Sequence, residues 1–481
     1  MGSPAIGMPT PGSARSFWLQ EALAFDPGDP CPPLRGRDTA DVCVVGAGFA
    51  GLWTAAELVT REPGLRVAVI ESDICGAGAS GRNGGFIVPS WFDLPEICRI
   101  FGDAPGIDLA KAFDEQTDEI GAFCAEHSMD VWYHKDGSLE FISDWQDDHA
   151  DVLSFLASRG LGDHMVRVDA DTARSYADSP IAAGGIFEPD AATIQPARLA
   201  RALRGFLLNR GVRIYEETPA RSVRAGNPAV VVTPGGEIAA GQVVLTIGAW
   251  GAGWPGYRTR LSNVADYVVA TEPIPDLLDE IGWRTHVGFG DARYWIYYLR
   301  KTDDHRIVIG GGAGRAMFGG KVGREATHVR SVAEVAARGL TWFFPQLEGV
   351  RFEYAWGGPM DMSRSFVPFF HSKGNVHAGL GFSGHGVAPT RVGGKILASL
   401  VLGTEDRWSS LPVVGPPLGH WPPEPVRWPL ARLGIWAIVS RDRAMERTGK
   451  DPFVRGLISR GPERMRKSIK KRTMKRGRGV A

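Results

Sequence analysis

The sequence predicts an α/β (α+β) chain in which a Rossmann-like parallel-sheet domain is interleaved with an antiparallel-sheet domain. Three observations predict it. An apolar run, Val42–Val45, meets the turn Gly46-Ala47-Gly48-Phe49-Ala50-Gly51 and passes directly into a helix-forming stretch from Leu52 to Val59. A second apolar run, Val67–Ile70, ends on Glu71, twenty residues beyond Gly51. Far downstream, strands again end in glycine, at Thr246–Trp250 and at Leu380–Gly386, with strand-rich and aromatic-rich sequence between them.

The first of these is a G-x-G-x-x-G turn in the context that gives it meaning, strand before and helix after. Gly46 allows the tight turn, Gly48 lets backbone N–H groups approach a pyrophosphate, and Gly51 lets helix and strand pack closely. The helix N-terminus adds roughly half a positive charge facing that anion. A carboxylate at Glu71 accepts hydrogen bonds from ribose hydroxyls and repels a 2′-phosphate. The stretch predicts a dinucleotide site.

With 481 residues the chain has room for two or three domains, and its formal net charge of zero predicts no nucleic-acid partner. Five cysteines, Cys31, Cys43, Cys75, Cys98 and Cys124, form no C-x-x-C pair. No Cys/His spacing predicts a metal site. This sparse, odd set fits a reducing compartment, and Met1–Pro30 has no apolar signal-like run, so a cytoplasmic protein is expected. The late apolar run Leu433–Val439 falls short of the ~20 residues of a membrane span.

In chain order, residues 1–37 read as a Pro/Gly/Ser-rich arm whose Phe17 and Trp18 pack onto the body. Residues 38–93, 181–255 and 350–403 are expected to form the nucleotide-binding domain, and 94–180 with 256–349 the second domain. The loop Cys75–Phe86 is too rich in glycine for a helix. Helical periodicity runs over 104–130 and 145–178, with strands expected at 131–134 and 138–142. An amphipathic helix follows over 189–210, then strands at 212–215, 229–233 and 242–247. The second block holds strands at 266–271, 293–300 and 306–312 and a helix over 326–342. Residues 387–402 form a last helix before a basic extension, 404–481.

Four stretches in this order carry a resemblance: VVGAGFAGLWTAAEL with Glu71, GAGASGRNGG at 76–85, TIGAW at 246–250 and GFSGHG at 381–386. Through them the chain resembles the D-amino-acid oxidase, glycine oxidase and sarcosine oxidase superfamily, in particular its gamma-glutamylputrescine oxidase branch. The resemblance implies a glutathione-reductase-like FAD fold and an oxidase of small amines or amino acids. Hydride would pass from a carbon next to nitrogen to flavin N5, giving an imine that hydrolyses, with oxygen or another electron acceptor closing the cycle. It places Gly46, Gly48, Phe49, Ala50 and Gly51 on the pyrophosphate and Glu71 with Ser72 at the ribose. Arg82, Asn83, Gly84 and Gly85 would meet the phosphates and flavin edge, and Ala220 the adenine. Gly248 and Trp250 belong to the same site, and Gly381, Phe382, Ser383, Gly384, His385 and Gly386 would lie along the isoalloxazine.

Two departures stand out. Relatives that tether FAD use a cysteine just before the C-terminal glycine loop, where this chain has Tyr354-Ala355-Trp356, so the FAD is expected to be noncovalent. Relatives that activate oxygen with a lysine carry it on the strand matching Arg306–Ile309, which has none.

Amine oxidation needs a dry, oriented site, for which aromatic walls are suited. The candidates for substrate contact are Tyr267, Tyr298, Arg300 as a carboxylate binder, and His385 beside the flavin loop. Strand alternation would put Tyr294, Tyr298 and Arg300 on one face, and Trp295 and Tyr297 on the other. For any single aromatic a place in the core is the preferred reading, as local packing is for His385, and Arg300 equally suits a strand surface. Three rivals remain: a dehydrogenase that passes electrons to a quinone or carrier, an FAD-containing binding protein whose Arg464–Arg478 tail contacts nucleic acid, and an NAD enzyme using the first motif alone. The same tail leaves contact with an acidic membrane surface open.

Overall fold

A computed structural model describes residues 15–146 and 149–452. The first sheet runs in the order 369–373, 376–380, 236–245, 36–45, 67–70 and 213–215, with 229–232 and 222–224 added antiparallel beside 236–245. The strands Val376–Leu380, Gly236–Leu245, Gly36–Val45, Val67–Ile70 and Arg213–Tyr215 run parallel, so their carboxyl ends share one edge. Apolar faces of the helices Phe49–Arg61, Pro196–Asn209 and Val387–Leu402 cover this sheet and build the largest core.

A second eight-stranded sheet has the order 352–363, 261–271, 307–316, 297–301, 288–291, 138–142, 184–188 and 166–168. The helix Arg330–Phe343 covers one face, packing on Val269, Ile309 and Ala355. The other face turns toward the first domain, where Val268, Ala270 and Trp356 meet Ala77 and Ala197. The strands Phe352–Ser363 and Gly184–Glu188 fall inside ranges expected for the first domain, yet they pair within this second sheet.

Local differences from the sequence expectation have local causes. The strand expected over 293–300 begins only at Tyr297. Upstream of it, carboxylates capture the backbone: Trp295 N–H donates to Asp442 Oδ2 at 3.1 Å and Tyr297 N–H to Asp291 Oδ1 at 2.8 Å. Tyr294 and Trp295 therefore stand outside the strand, and the expected alternation of faces does not extend to them. The stretch expected as a strand at 131–134 makes a single bridge, His134 to Thr193. The periodicity over 145–178 resolves into two short helices, Ala150–Ala157 and Ala170–Tyr176.

The N-terminal arm contributes a helix, Phe17–Phe25, capped by Ser16, whose hydroxyl accepts from Leu19 N–H and donates to the Gly81 carbonyl. Trp18 is fully buried, and its indole N–H donates to the Asn83 carbonyl at 2.8 Å. The arm is thus a buttress under the loop 76–85. No helix among the described residues is long and apolar enough to cross a membrane. Leu433–Val439 lies within the helix Arg427–Thr448, which exposes Leu433 and Trp436; the basic run Arg464–Arg478 lies outside the described residues.

Candidate cofactor and substrate site

The first glycine turn has the shape its sequence requires. Gly46 adopts φ +103°, and a Cβ there would stand 2.6 Å from the Thr246 carbonyl oxygen. A Cβ at Gly51 would stand 1.9 Å from the Gly46 carbonyl oxygen, so helix and strand approach as only glycine permits. The helix opens on Gly48 with no side-chain cap, and Phe49 N–H donates to Ser80 Oγ at 2.8 Å. Phe49, Ala50 and Gly51 are buried. A helix start left without its own cap is an anion cradle.

Glu71 is held by three donors: Ala47 N–H on one oxygen at 2.8 Å, Ser72 Oγ at 2.8 Å and Asp73 N–H at 3.0 Å on the other. Burial pushes its pKa up, and the backbone hydrogen bonds oppose that rise. A carboxylate has about four acceptor positions, so room for a hydroxyl donor remains. Thr218 N–H donates to the Glu71 carbonyl at 2.6 Å, which brings the turn holding half-buried Ala220 beside the acid.

In the loop 76–85 the polar side chains hold the loop itself. Arg82 Nε donates to the Ala77 carbonyl at 2.8 Å and Nη1 to the Gly357 carbonyl at 3.2 Å; burial lowers its pKa to about 10. Asn83 Nδ2 donates to the carbonyls of Ala79 and Ser80, and its Oδ1 accepts from Gly85 N–H at 2.8 Å. What this loop offers a ligand is therefore mainly backbone. Trp250, 45% exposed, lies over Gly78, and Gly248 opens the adjoining turn.

The C-terminal loop is folded around Asp361. Gly381 N–H donates to Asp361 Oδ2 at 2.5 Å and Ser383 N–H to the Asp361 carbonyl at 3.2 Å. Ser383 adopts φ +56°, and its hydroxyl accepts from Ser363 N–H while donating to the Gly381 carbonyl. Phe382 is buried, whereas Gly384 and His385 are exposed, and Gly386 begins the helix with no side-chain cap. That helix packs on the first one: a Cβ at Gly394 would stand 2.7 Å from Trp53 Cβ, Arg391 pairs with Glu57, and Arg61 Nη1 reaches Ser399 Oγ at 2.8 Å.

One strand joins the two loops. On Phe352–Ser363, the Trp356 indole donates to the Arg82 carbonyl at 2.8 Å and a Cβ at Gly358 would meet Arg82 Cβ at 3.2 Å. Met360 Sδ stands 3.1 Å from the Cβ position of Gly384. These alternate residues share one face, so the two loops are separated by about 7 Å of strand.

The side chains beside that gap come from the neighbouring strands. Asp266 pairs directly with Gly358, and the Tyr298 hydroxyl donates to Asp266 Oδ2 at 2.7 Å. The Tyr298 ring lies 2.6 Å from the Cβ position of Gly84. The Trp295 ring covers Gly314, the residue opposite Asp266 on the other side. Burial raises the Asp266 pKa to about 6; the Tyr298 hydrogen bond opposes that rise, as do the nearby Tyr267 N–H and Trp295 indole, neither of which makes a hydrogen bond to it.

Tyr267 sits on the opposite face of the same strand, packed with Ala265, Met317 and Ala326, and its hydroxyl donates to the Glu325 carbonyl. Arg300 is wholly buried beneath the loop, with Nη1 donating to the carbonyls of Gly85 at 3.0 Å and Ile194 at 2.6 Å, and Nη2 without a partner. Asp266 begins the strand expected at 266–271, and the sequence assigns it no role; it is the one acid of the strand Leu261–Thr271. Two further ligand-type groups, His134–His286–Asp303 and Asp114–His164–Asp190, also escape any sequence spacing, because their members come from separate segments. In the first, two imidazoles stack at 3.6 Å.

Comparison with known proteins gives the family and the fold. Over 439 residues the chain is 28% identical to the gamma-glutamylputrescine oxidoreductase of Escherichia coli (strain K12), covering 89% of this chain and 98% of that one. Among solved structures, glycine oxidase from Geobacillus kaustophilus superposes with a TM-score of 0.63 at 21% identity, over 77% of this chain and 96% of that one. L-amino acid deaminase from Proteus vulgaris gives 0.64 at 17% identity, over 79% and 96%. The DAO family model, described as FAD dependent oxidoreductase, matches residues 41–400, and the chain belongs to that family.

Proposed function

We propose that the chain oxidises a small amine or amino acid at the carbon next to nitrogen, with FAD held noncovalently, and that the resulting imine hydrolyses to an aldehyde or keto acid. FAD, when bound, supplies the acceptor for the two electrons and hydride leaving that carbon. The residues present fit it: a helix start at Gly48 that has no side-chain cap of its own and gives its first N–H to Ser80, a held acid at Glu71, and a second helix start without a side-chain cap at Gly386. The observation that carries the reading is the strand Phe352–Ser363, which touches Arg82 and then Gly384, with Asp266, Tyr298 and Trp295 beside the gap. The aromatic rings there exclude water and suit a cationic substrate. The similarity to the E. coli gamma-glutamylputrescine oxidoreductase supports an amine as donor.

Noncovalent binding is supported by the thiols. All five cysteines are free and buried, and burial raises Cys43 and Cys124 to about 12 and Cys75 well above its ordinary value. A protonated, enclosed thiol is a poor nucleophile. Oxygen is the acceptor assigned first. The strand Ile307–Ala316 has no lysine, which favours a quinone or carrier as the alternative.

The test is an anaerobic screen of amines and amino acids against the purified yellow protein. A productive donor removes the visible flavin absorbance, and air then restores it rapidly if oxygen is the acceptor. A protein that no amine or amino acid bleaches would refute the reading.

A further inference from the structure

We propose that Asp266 is the anchor for a substrate ammonium group, so that this site selects cationic amines over carboxylates. The proposal rests on the amine-oxidising reading above and narrows it to a substrate class.

The geometry begins with the position of Asp266. It lies on the face of the second sheet that turns toward the two glycine loops, opposite Gly358 on one neighbouring strand and Gly314 on the other. Neither partner carries a side chain to cover it. Its Oδ2 accepts from the Tyr298 hydroxyl at 2.7 Å, while its Oδ1 is buried with no hydrogen bond. A buried carboxylate oxygen without a donor is costly, and its presence calls for a partner that arrives from outside the chain.

The charge of that partner follows from the neighbours. The groups that act on Asp266 are burial, Tyr298, the Tyr267 backbone and Trp295; no cation is among them. Two arginines are close in the fold: both donate to backbone carbonyls, and Arg300 Nη2, buried beneath the loop, has no partner and does not act on Asp266. Arg82 meets the carbonyls of Ala77 and Gly357, and Arg300 those of Gly85 and Ile194 at zero exposure. A substrate carboxylate would face an uncompensated acid. An ammonium would complete an ion pair and supply the missing donor, with the Trp295 and Tyr298 rings as further cation-stabilising surface.

The glycines around the site agree with this use. The Tyr298 ring lies 2.4 Å from the Cβ position of Gly310 and 2.6 Å from that of Gly84, and Trp295 lies 2.0 Å from that of Gly314. Three side chains are thus omitted to seat two aromatic rings around one carboxylate.

The test uses the flavin-loaded protein and an isosteric pair that cannot be oxidised, tert-butylamine and pivalate. Binding is read from the perturbation of the visible flavin spectrum and from the melting temperature. Wild type is expected to prefer tert-butylamine, and Asp266→Asn to weaken it by about 10- to 100-fold, as for loss of a charge-assisted hydrogen bond, with pivalate unchanged or tighter. Wild type that takes both probes equally, prefers pivalate or binds neither would overturn the proposal, as would Asp266→Asn with undiminished amine affinity. If Asp266→Asn loses its flavin, Asp266→Glu must keep the preference for the ammonium, and equal binding of both probes by that variant also overturns it. Failure of the broader reading is separate: it shows in wild type, when no amine bleaches the flavin. Bleaching by amines together with an unaltered Asp266→Asn would remove the Asp266 assignment alone.

Discussion

Asp266 and Asp291 are two enclosed carboxylates of the same eight-stranded sheet, and they are treated in opposite ways. Asp291, fully buried on the strand Gly288–Asp291, has every oxygen occupied. Arg293 Nε donates at 2.5 Å, Gln146 Nε2 at 3.2 Å and Tyr297 N–H at 2.8 Å. Arg293 continues to Glu446 on the C-terminal helix at 3.0 Å and lies over the Trp342 ring. Asp266 has a tyrosine hydroxyl on one oxygen, no hydrogen bond on the other and no cation beside it. The same chemical group is a rivet in one place and an open valence in the other. A buried carboxylate is a structural device when the protein supplies its counter-charge or fills its oxygens with donors, and is free to bind when it does neither.

The largest effect should come from breaking the closed side. Arg293→Met leaves Asp291 enclosed without its cation and cuts the tie to Glu446. A loss of about 3–5 kcal/mol is expected, as for other buried pairs deprived of one partner. Chemical denaturation measures it, and the double variant Arg293→Met with Asp291→Asn should recover much of the loss. A single variant as stable as wild type would show that Asp291 is not held as an ion pair. The change should leave the ammonium preference of the Asp266 site in place, which makes the two carboxylates separable.

A second prediction sharpens the contrast through pH. Burial lifts Asp266 from its ordinary 3.8 to about 6, so between roughly pH 4 and 6 the folded state binds more protons than the unfolded one. Stability from this group is greatest below its unfolded pKa, falls as pH rises through about 6, and is flat above. A shift of about two units corresponds to roughly 3 kcal/mol at most. Asp291, raised to about 7, and Asp361, raised to about 6, change with the same sign, so the informative quantity is the difference between wild type and Asp266→Asn. The variant should be more stable than wild type above pH 6 and converge with it toward pH 4. A difference that stays constant with pH would show that Asp266 does not titrate in this range. A stabilising change that removes ammonium binding is the expected mark of a functional carboxylate.

How much of this was legible in the sequence depended on how local each signal was. The turn at Gly46–Gly51, the acid at Glu71 and the loop at 381–386 are short patterns whose chemistry lies in adjacent residues, and they come together as the chain order suggests. The sheet face beside the loops is less legible because its determinants cross between strands. Tyr267 stood out as an aromatic, yet its neighbour Asp266 faces the loops. The strand expected at 293–300 was shortened by Asp291 nearby and by Asp442, which arrives from 147 residues away. Nothing in Ser16–Trp18 announced that this segment would hold the loop carrying Asn83 through hydrogen bonds to Gly81 and Asn83. Local propensity cannot show which backbone donor a distant side chain will take.

The smallest predicted effect concerns Tyr298, whose hydroxyl holds the one satisfied oxygen of Asp266. Tyr298→Phe keeps the ring against Gly84 and Gly310 and removes the donor. The carboxylate then loses a hydrogen bond to its charged form, so its pKa should rise further and its ionised fraction at neutral pH should fall. A destabilisation of about 1 kcal/mol and a few-fold weakening of tert-butylamine are expected, with the flavin spectrum retained. The effect must be smaller than that of Asp266→Asn, because the carboxylate stays ionisable and keeps part of its charge, whereas the amide has none. If Tyr298→Phe weakened the amine as strongly as Asp266→Asn, the hydroxyl itself would be the amine contact, and the distinction between an open carboxylate and a closed one would have to move to the tyrosine.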